Sequence, residues 1–152
     1  MSETIFDKIV RGDVPSYKVW EDDRHLAFLT IFPNTPGVTV VIPKTNPGDY
    51  IFDLDDQAYQ DLLAAIRTVA KLLEKAFNTP RIAVVFEGTG VAHVHAKLYP
   101  LHGRLASETN ISSKHTEFHP EYIGYLTTAE GPRMSDDELA RIQHQITTAN
   151  QE

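Results

Sequence analysis

At 152 residues, with 41% hydrophobic and 23% charged side chains, the chain has the length and composition of one ordinary globular domain whose core needs no staples. It contains no cysteine, which excludes disulfides and thiolate metal sites and fits a cytoplasmic setting. A net charge of −7 excludes a global pull toward nucleic acid polymers or anionic membranes; Met1–Lys8 lacks the basic start and apolar run of a signal peptide, and no window approaches a membrane span.

In chain order, Thr4, Asp7 and Gly12 predict a short capped helix over 4–11, with Ile5 and Ile9 at i,i+4. After the Val14-Pro15 break, Ser16–Glu21 and Leu26–Ile31 read as a hairpin turning at Asp22-Asp23. Pro33–Gly37 forces a turn into Val38–Ile42, β-branched almost throughout and therefore a central strand that Pro43 ends. Lys44–Asp49 is a loop. From about Asp55 to Phe77, Leu62, Ile66, Val69, Leu73 and Phe77 recur at helical spacing and predict the longest helix.

Ile82–Phe86 is a second compact apolar strand. Glu87-Gly88-Thr89-Gly90 joins it to Val91–Pro100, too short a link for a crossover, so the two are expected to be antiparallel neighbours. The two glycines permit positive φ or a close approach of backbone amides to a ligand, and a plain tight turn accounts for them equally. Leu101–Pro120 is polar and without period, and predicts an extended loop; Tyr122–Leu126 offers one more short strand. Ser135–Glu138 opens a C-terminal helix with Leu139, Ile142 and Ile146 on one face. No repeat or long linker divides the chain, so we expect one domain over 1–152, with a core at about 4–104 and an extension at 105–152.

The chemistry concentrates in Val91–Pro100, where His93, His95 and Lys97 alternate with Val94, Ala96 and Leu98. As a strand, this segment places three nitrogens on one face and an apolar row on the other. Three readings follow. The histidines are half-buried structural residues satisfied by hydrogen bonds; or they hold a divalent cation together with His102, His115 or Asp49; or one imidazole attacks phosphorus while the other cations meet the non-bridging oxygens. Lys97 opposes the second reading by repelling a metal, and supports the third by disfavouring protonation of its neighbour. The third also gives Gly88-Thr89-Gly90 a use, as amides against a phosphate.

The stretch resembles the signature of the histidine-triad (HIT) superfamily, His-φ-His-φ-His-φ-φ with φ apolar. Ile5–Pro15, Glu21-Asp22-Asp23, Leu26-Ala27-Phe28, Pro36-Gly37 and Val41–Lys44 resemble that family's N-terminal half in order and spacing, so the likeness covers roughly residues 4–104. It implies an α+β fold with a five-stranded antiparallel sheet, one long helix and short terminal helices, usually in a homodimer. It also implies hydrolysis or transfer of nucleoside monophosphates through a nucleotidyl-histidine intermediate, without a metal or other cofactor. By motif position His95 matches the nucleophile, His93 its support, and Lys97 stands where the third histidine contacts phosphate.

Ile5, Phe6, Ile9, Phe28 and Ile31 match the apolar nucleoside pocket. Thr30 replaces an aspartate that grips the ribose in many members, and Glu87, Thr89 and Gly90 belong to a shortened phosphate loop that lacks the usual Gly-Gln-Ser-like pattern. Val38 and Asn46 stand where histidine is common, and Thr4 and Asp7 replace the Cys-x-x-Cys of zinc-binding members. His102, Arg104, Lys114 and His115 are candidates for contacts to a leaving group. The resemblance thus favours an enzyme that acts on phosphate anhydrides or phosphoramidates of nucleosides. The alternative is a nucleotide-binding regulatory module that keeps the pocket without efficient catalysis.

Overall fold

The computed structural model describes residues 2–111, 133–149 and 151. Helix α1 (Ile5–Arg11) is followed by strands β1 (Lys18–Glu21), β2 (His25–Leu29) and β3 (Thr39–Pro43) and a 3-10 turn at Ile51–Asp53. Helix α2 (Asp56–Phe77), strands β4 (Ile82–Val85) and β5 (Ala96–Pro100), a one-turn helix α3 (Arg104–Ser107) and helix α4 (Asp136–Thr148) complete it. The strands form one sheet in the order β1-β2-β3-β5-β4, with every neighbouring pair antiparallel. This is the expected α+β architecture with its five-stranded antiparallel sheet and one long helix.

Alternation in the central strands divides the molecule into two layers on either side of the sheet. In β2 and β3, Ala27, Leu29 and Val41 join Leu62, Val69 and Leu73 of α2 and Leu139, Ile142 and Ile146 of α4 in one core. Leu26, Phe28, Val40 and Ile42 point the other way, against Phe6 of α1. The C-terminal helix is thus part of the main core, and Gln143 and Gln145 fasten it to the carbonyls of Lys18 and Ala76 at 2.9 and 2.7 Å.

Local chemistry sets the helix ends. Thr4 and Asp7 form the full capping box of α1 and Gly12 closes it at φ +83°. Asp55 caps α2 by accepting from the Ala58 amide, and Asn78 ends it in the left-handed region at φ 50°. Ser135 accepts from the Glu138 amide to open α4. Among the described residues no helix is long and apolar enough to cross a membrane.

The structure corrects several sequence-based boundaries. The histidine strand was expected from Val91, but β5 begins only at Ala96, so His93 and His95 lie in its irregular approach. The reason lies in β3. Its register with β5 pairs Val41 with Ala96 and would next bring Pro43 opposite Val94, where proline has no N–H to give. The approach is held instead by Gly48, whose carbonyl accepts from the Val94 amide at 2.6 Å, and by Asn46, whose Nδ2 donates to the Ala92 carbonyl at 3.0 Å.

Consequently the β4–β5 link runs from Phe86 to His95 and is not a four-residue turn, although the two strands are antiparallel neighbours as expected. Strand β2 stops at Leu29, before Thr30 and Ile31. The segment read as a loop after Pro100 contains α3, while Tyr122–Leu126, Lys114 and His115 lie outside the described residues.

Candidate active site

Despite the late start of β5, alternation carries through its approach. Val94, Ala96 and Leu98 enter the core beneath α2. The rings of His93 and His95 turn to the opposite side, edge-on to Phe6 with centroids 5.7 and 5.3 Å away. Lys97 lies on that side too, since it lines the same cavity as Phe6 and His95.

His95 is 4% exposed. Its Nδ1 lies 2.7 Å from the main-chain carbonyl of His93. A carbonyl only accepts, so Nδ1 carries the proton and Nε2 is left with the lone pair. Burial pushes the His95 pKa down, and the Lys97 charge adds to that, against the opposing pull of the His93 carbonyl and Glu87. The ring is therefore neutral near pH 7, with its lone-pair nitrogen defined by the backbone.

Behind it, His93 is wholly buried and its Nε2–H donates to the Pro43 carbonyl at 2.7 Å. Its Nδ1 makes no hydrogen bond among the described residues and lies 3.7 Å from Asp7 Oδ1. Burial again lowers the pKa, while the Pro43 carbonyl and then the Asp7 charge resist. Asp7 is occupied by the α1 capping box, accepting from the Thr4 amide and hydroxyl at 2.7 and 2.8 Å. These bonds hold its carboxyl below the ordinary aspartate value.

A cavity of about 480 Å³ opens between α1, the end of β2 and the β4–β5 link. Ile5, Phe6, Ile9, Phe28 and Ile31 supply much of its apolar wall, and Thr30, Glu87, Thr89, Gly90, His95 and Lys97 bring the polar chemistry. Of His93, His95 and Lys97, the first is set back from the cavity and the other two line it. Gly88 and Gly90 adopt φ +67° and +87°, and a Cβ on Gly88 would meet the Asp49 carbonyl at 3.2 Å, so the link depends on glycine.

Lys97 and Glu87 form an ion pair, their side chains 19% and 24% exposed. Register explains the meeting: Val85 lies opposite Lys97, and Glu87 is two residues further along the same side. The sequence pattern does not show that partnership, because it depends on pairing across the β4–β5 link. The sequence pattern gives Asp7 a capping role and a place in the lost Cys-x-x-Cys but no contact with His93, and it does not place Val40, Val91, Val14, Pro15 and Phe32 at the cavity. The signal for Val40 existed in the β3 alternation, since it sits opposite Lys97.

Other candidates lie elsewhere. The His102 ring bonds to the Pro36 carbonyl at 2.9 Å and packs edge-on against Phe77. Arg104, at the start of α3, pairs with Glu108, the residue just past its end. Among the described residues, no group of three or more histidine, aspartate or glutamate side chains converges as a metal site would.

Comparison with known proteins agrees with this arrangement. The HIT domain model matches residues 11–102, a span that contains both histidines, Lys97 and the entire sheet. The protein hit of Bacillus subtilis is 30% identical over 137 residues, covering 86% of this chain and 94% of that protein. The adenosine 5'-monophosphoramidase of Schizosaccharomyces pombe is 37% identical over 101 residues, covering 63% of this chain and 72% of that one. A crystal structure of a Hit-like protein from Bartonella henselae superposes with a TM-score of 0.70 at 25% identity, covering 97% and 96% of the two chains. With the sheet, the histidine pair and Lys97 all inside the matched span, the chain belongs to the HIT domain family.

Proposed function

We propose that the chain is an enzyme that hydrolyses or transfers nucleoside monophosphate units from phosphate anhydrides or phosphoramidates, with His95 as the nucleophile. The observation that carries this reading is the state of the His95 ring: Nδ1–H is committed to the His93 carbonyl, so a neutral imidazole presents Nε2 as its lone-pair nitrogen at the wall of a large cavity. The name of the Schizosaccharomyces pombe relative, a monophosphoramidase, supports the substrate class.

In the first step a His95 Nε2–phosphorus bond forms as the bond to the leaving group breaks. The leaving atom keeps the bonding pair and takes up a proton from solvent. Lys97 Nζ offsets charge on the non-bridging oxygens, and the His93 carbonyl stabilises the positive ring that results. Water, or another acceptor in a transfer reaction, then attacks phosphorus from the opposite side. The N–P bond breaks with its electron pair returning to Nε2, and the water's proton passes to solvent. The apolar wall from Ile5, Phe6, Ile9, Phe28 and Ile31 takes the nucleoside, and Thr30 lies within reach of a ribose.

Mass spectrometry of the protein quenched after mixing with a panel of dinucleoside polyphosphates and nucleoside phosphoramidates tests the reading. A nucleotidyl adduct is expected on the wild type and not on His95→Ala, with turnover falling by about 10³-fold or more. Full turnover in His95→Ala overturns it. Tight nucleotide binding with neither product nor adduct would favour the regulatory module instead.

The same reading includes a homodimer in the cytoplasm. Strand β4 is an edge of the sheet, and Val84 on it is half-exposed, a surface suited to pairing with a second copy. Light scattering that gives a monomer mass at micromolar concentration would remove the dimer. The cysteine-free sequence supports the compartment.

A further inference from the structure

We propose that Glu87 is a specificity-determining residue that selects the leaving group by charge, admitting neutral or cationic groups such as amines and turning away those that carry further phosphates. This rests on the nucleotidyl-transfer reading above. Among the described residues that line the cavity, Lys97 and Glu87 are the two formally charged side chains, and they are paired with each other. Both are largely withdrawn from solvent, and the adjoining His95 ring is neutral. The polar end of the cavity therefore offers one cation whose charge is already matched.

A transferring phosphoryl group brings one negative charge, which Lys97 meets while Glu87 remains its partner. A leaving group with two or three more phosphates brings additional negative charge toward the Glu87 carboxylate, and no second cation among the described lining residues offsets it. Like charges brought together in a partly desolvated site are strongly disfavoured. A leaving amine meets a hydrogen-bond acceptor in the same carboxylate. The bond changes are those given above, with nitrogen as the leaving atom: the P–N bond breaks, nitrogen keeps the electron pair and takes its proton from solvent.

The test compares kcat/KM for a nucleoside 5'-phosphoramidate with that for a dinucleoside tetraphosphate in the wild type, Glu87→Gln, Glu87→Asp and Lys97→Gln. Calorimetric Kd values for a nucleoside monophosphate and a triphosphate supply a readout independent of turnover. Glu87→Gln is expected to shift the ratio toward the polyphosphate by about tenfold or more, and to tighten the triphosphate relative to the monophosphate, because Lys97 is released to a second phosphate. Glu87→Asp keeps the wild-type preference, and Lys97→Gln, which leaves the carboxylate unmatched, moves the ratio the other way.

If Glu87 only props Lys97 in place, both substrates weaken in proportion, the ratio stays constant and the proposal is overturned. Should Glu87→Gln fail to fold, the sign of the shift in Lys97→Gln decides alone. A wild type that forms no adduct and turns over neither substrate overturns the nucleotidyl-transfer reading and this proposal with it. Turnover of both with no change of ratio overturns this proposal only.

Discussion

Oδ1 of Asp7 lies 3.7 Å from the buried Nδ1 of His93, so the carboxylate that caps α1 also supplies the negative charge beside the histidine that supports the site. One side chain thus links the helix under the apolar wall to the ring behind His95, the proposed nucleophile. Replacing Asp7 by Asn keeps a capping oxygen but removes the charge. Because that charge raises the His93 pKa against burial, Asp7→Asn should lower it further, read as a shift of the His93 midpoint to lower pH in an NMR titration. Loss of the charged cap should cost about 1 kcal/mol in chemical denaturation. An unchanged His93 midpoint would show that the 3.7 Å approach carries no coupling.

The proposed role of His95 sets the pH profile expected of turnover. The His95 pKa is lowered from the ordinary 6.5, chiefly by burial, so the neutral ring persists below that pH and the acid limb of kcat/KM should lie under 6.5. Lys97 pushes in the same direction and Glu87 against it. Lys97→Gln should therefore move the acid limb up, and Glu87→Gln should move it down. Limbs that coincide in all three proteins would mean that the observed ionisation belongs to another group.

Stability should depend on pH through the same rings. The folded pKa values of His93 and His95 are both depressed below 6.5, so the unfolded chain takes up protons first as the pH falls. The contribution is complete above the unfolded value and is lost as pH drops from about 6.5 through the folded values. Urea midpoints should decline in that window, before the carboxylates that are depressed in the fold, such as Asp7 and Glu21, begin to titrate below their ordinary range. A flat midpoint between pH 7 and 5 would contradict the burial of both rings.

Much of this site is legible in the sequence because it is written in short-range patterns. The capping box of α1 occupies Thr4 to Asp7, and the alternation of His93, His95 and Lys97 with Val94, Ala96 and Leu98 survives even where the strand does not. What the pattern could not show is which backbone groups hold the histidines. That depends on Pro43, fifty residues away in the chain, which both ends the β3–β5 ladder and receives the His93 ring. The Glu87–Lys97 pair is hidden for a related reason, since strand register across a ten-residue link decides it. The one-turn helix at Arg104–Ser107 has no apolar period, and its Arg104–Glu108 pair stabilises it only locally.

Thr30 offers a test of the proposed sugar side of the cavity. It follows the end of β2, with its amide bonded to the Val38 carbonyl at 3.1 Å and its hydroxyl oxygen accepting from the Phe32 amide at 3.2 Å. A carboxylate in its place can accept from that amide with one oxygen and keep the other for a ribose hydroxyl, a charge-assisted bond that the threonine cannot make. Thr30→Asp should tighten a ribonucleoside monophosphate by about tenfold. A 2',3'-dideoxy analogue, which has no hydroxyl to offer, should gain nothing and should weaken slightly because the added charge is partly desolvated. Isothermal titration of both ligands on both proteins separates the outcomes, and an equal change for the two analogues would place Thr30 away from the sugar.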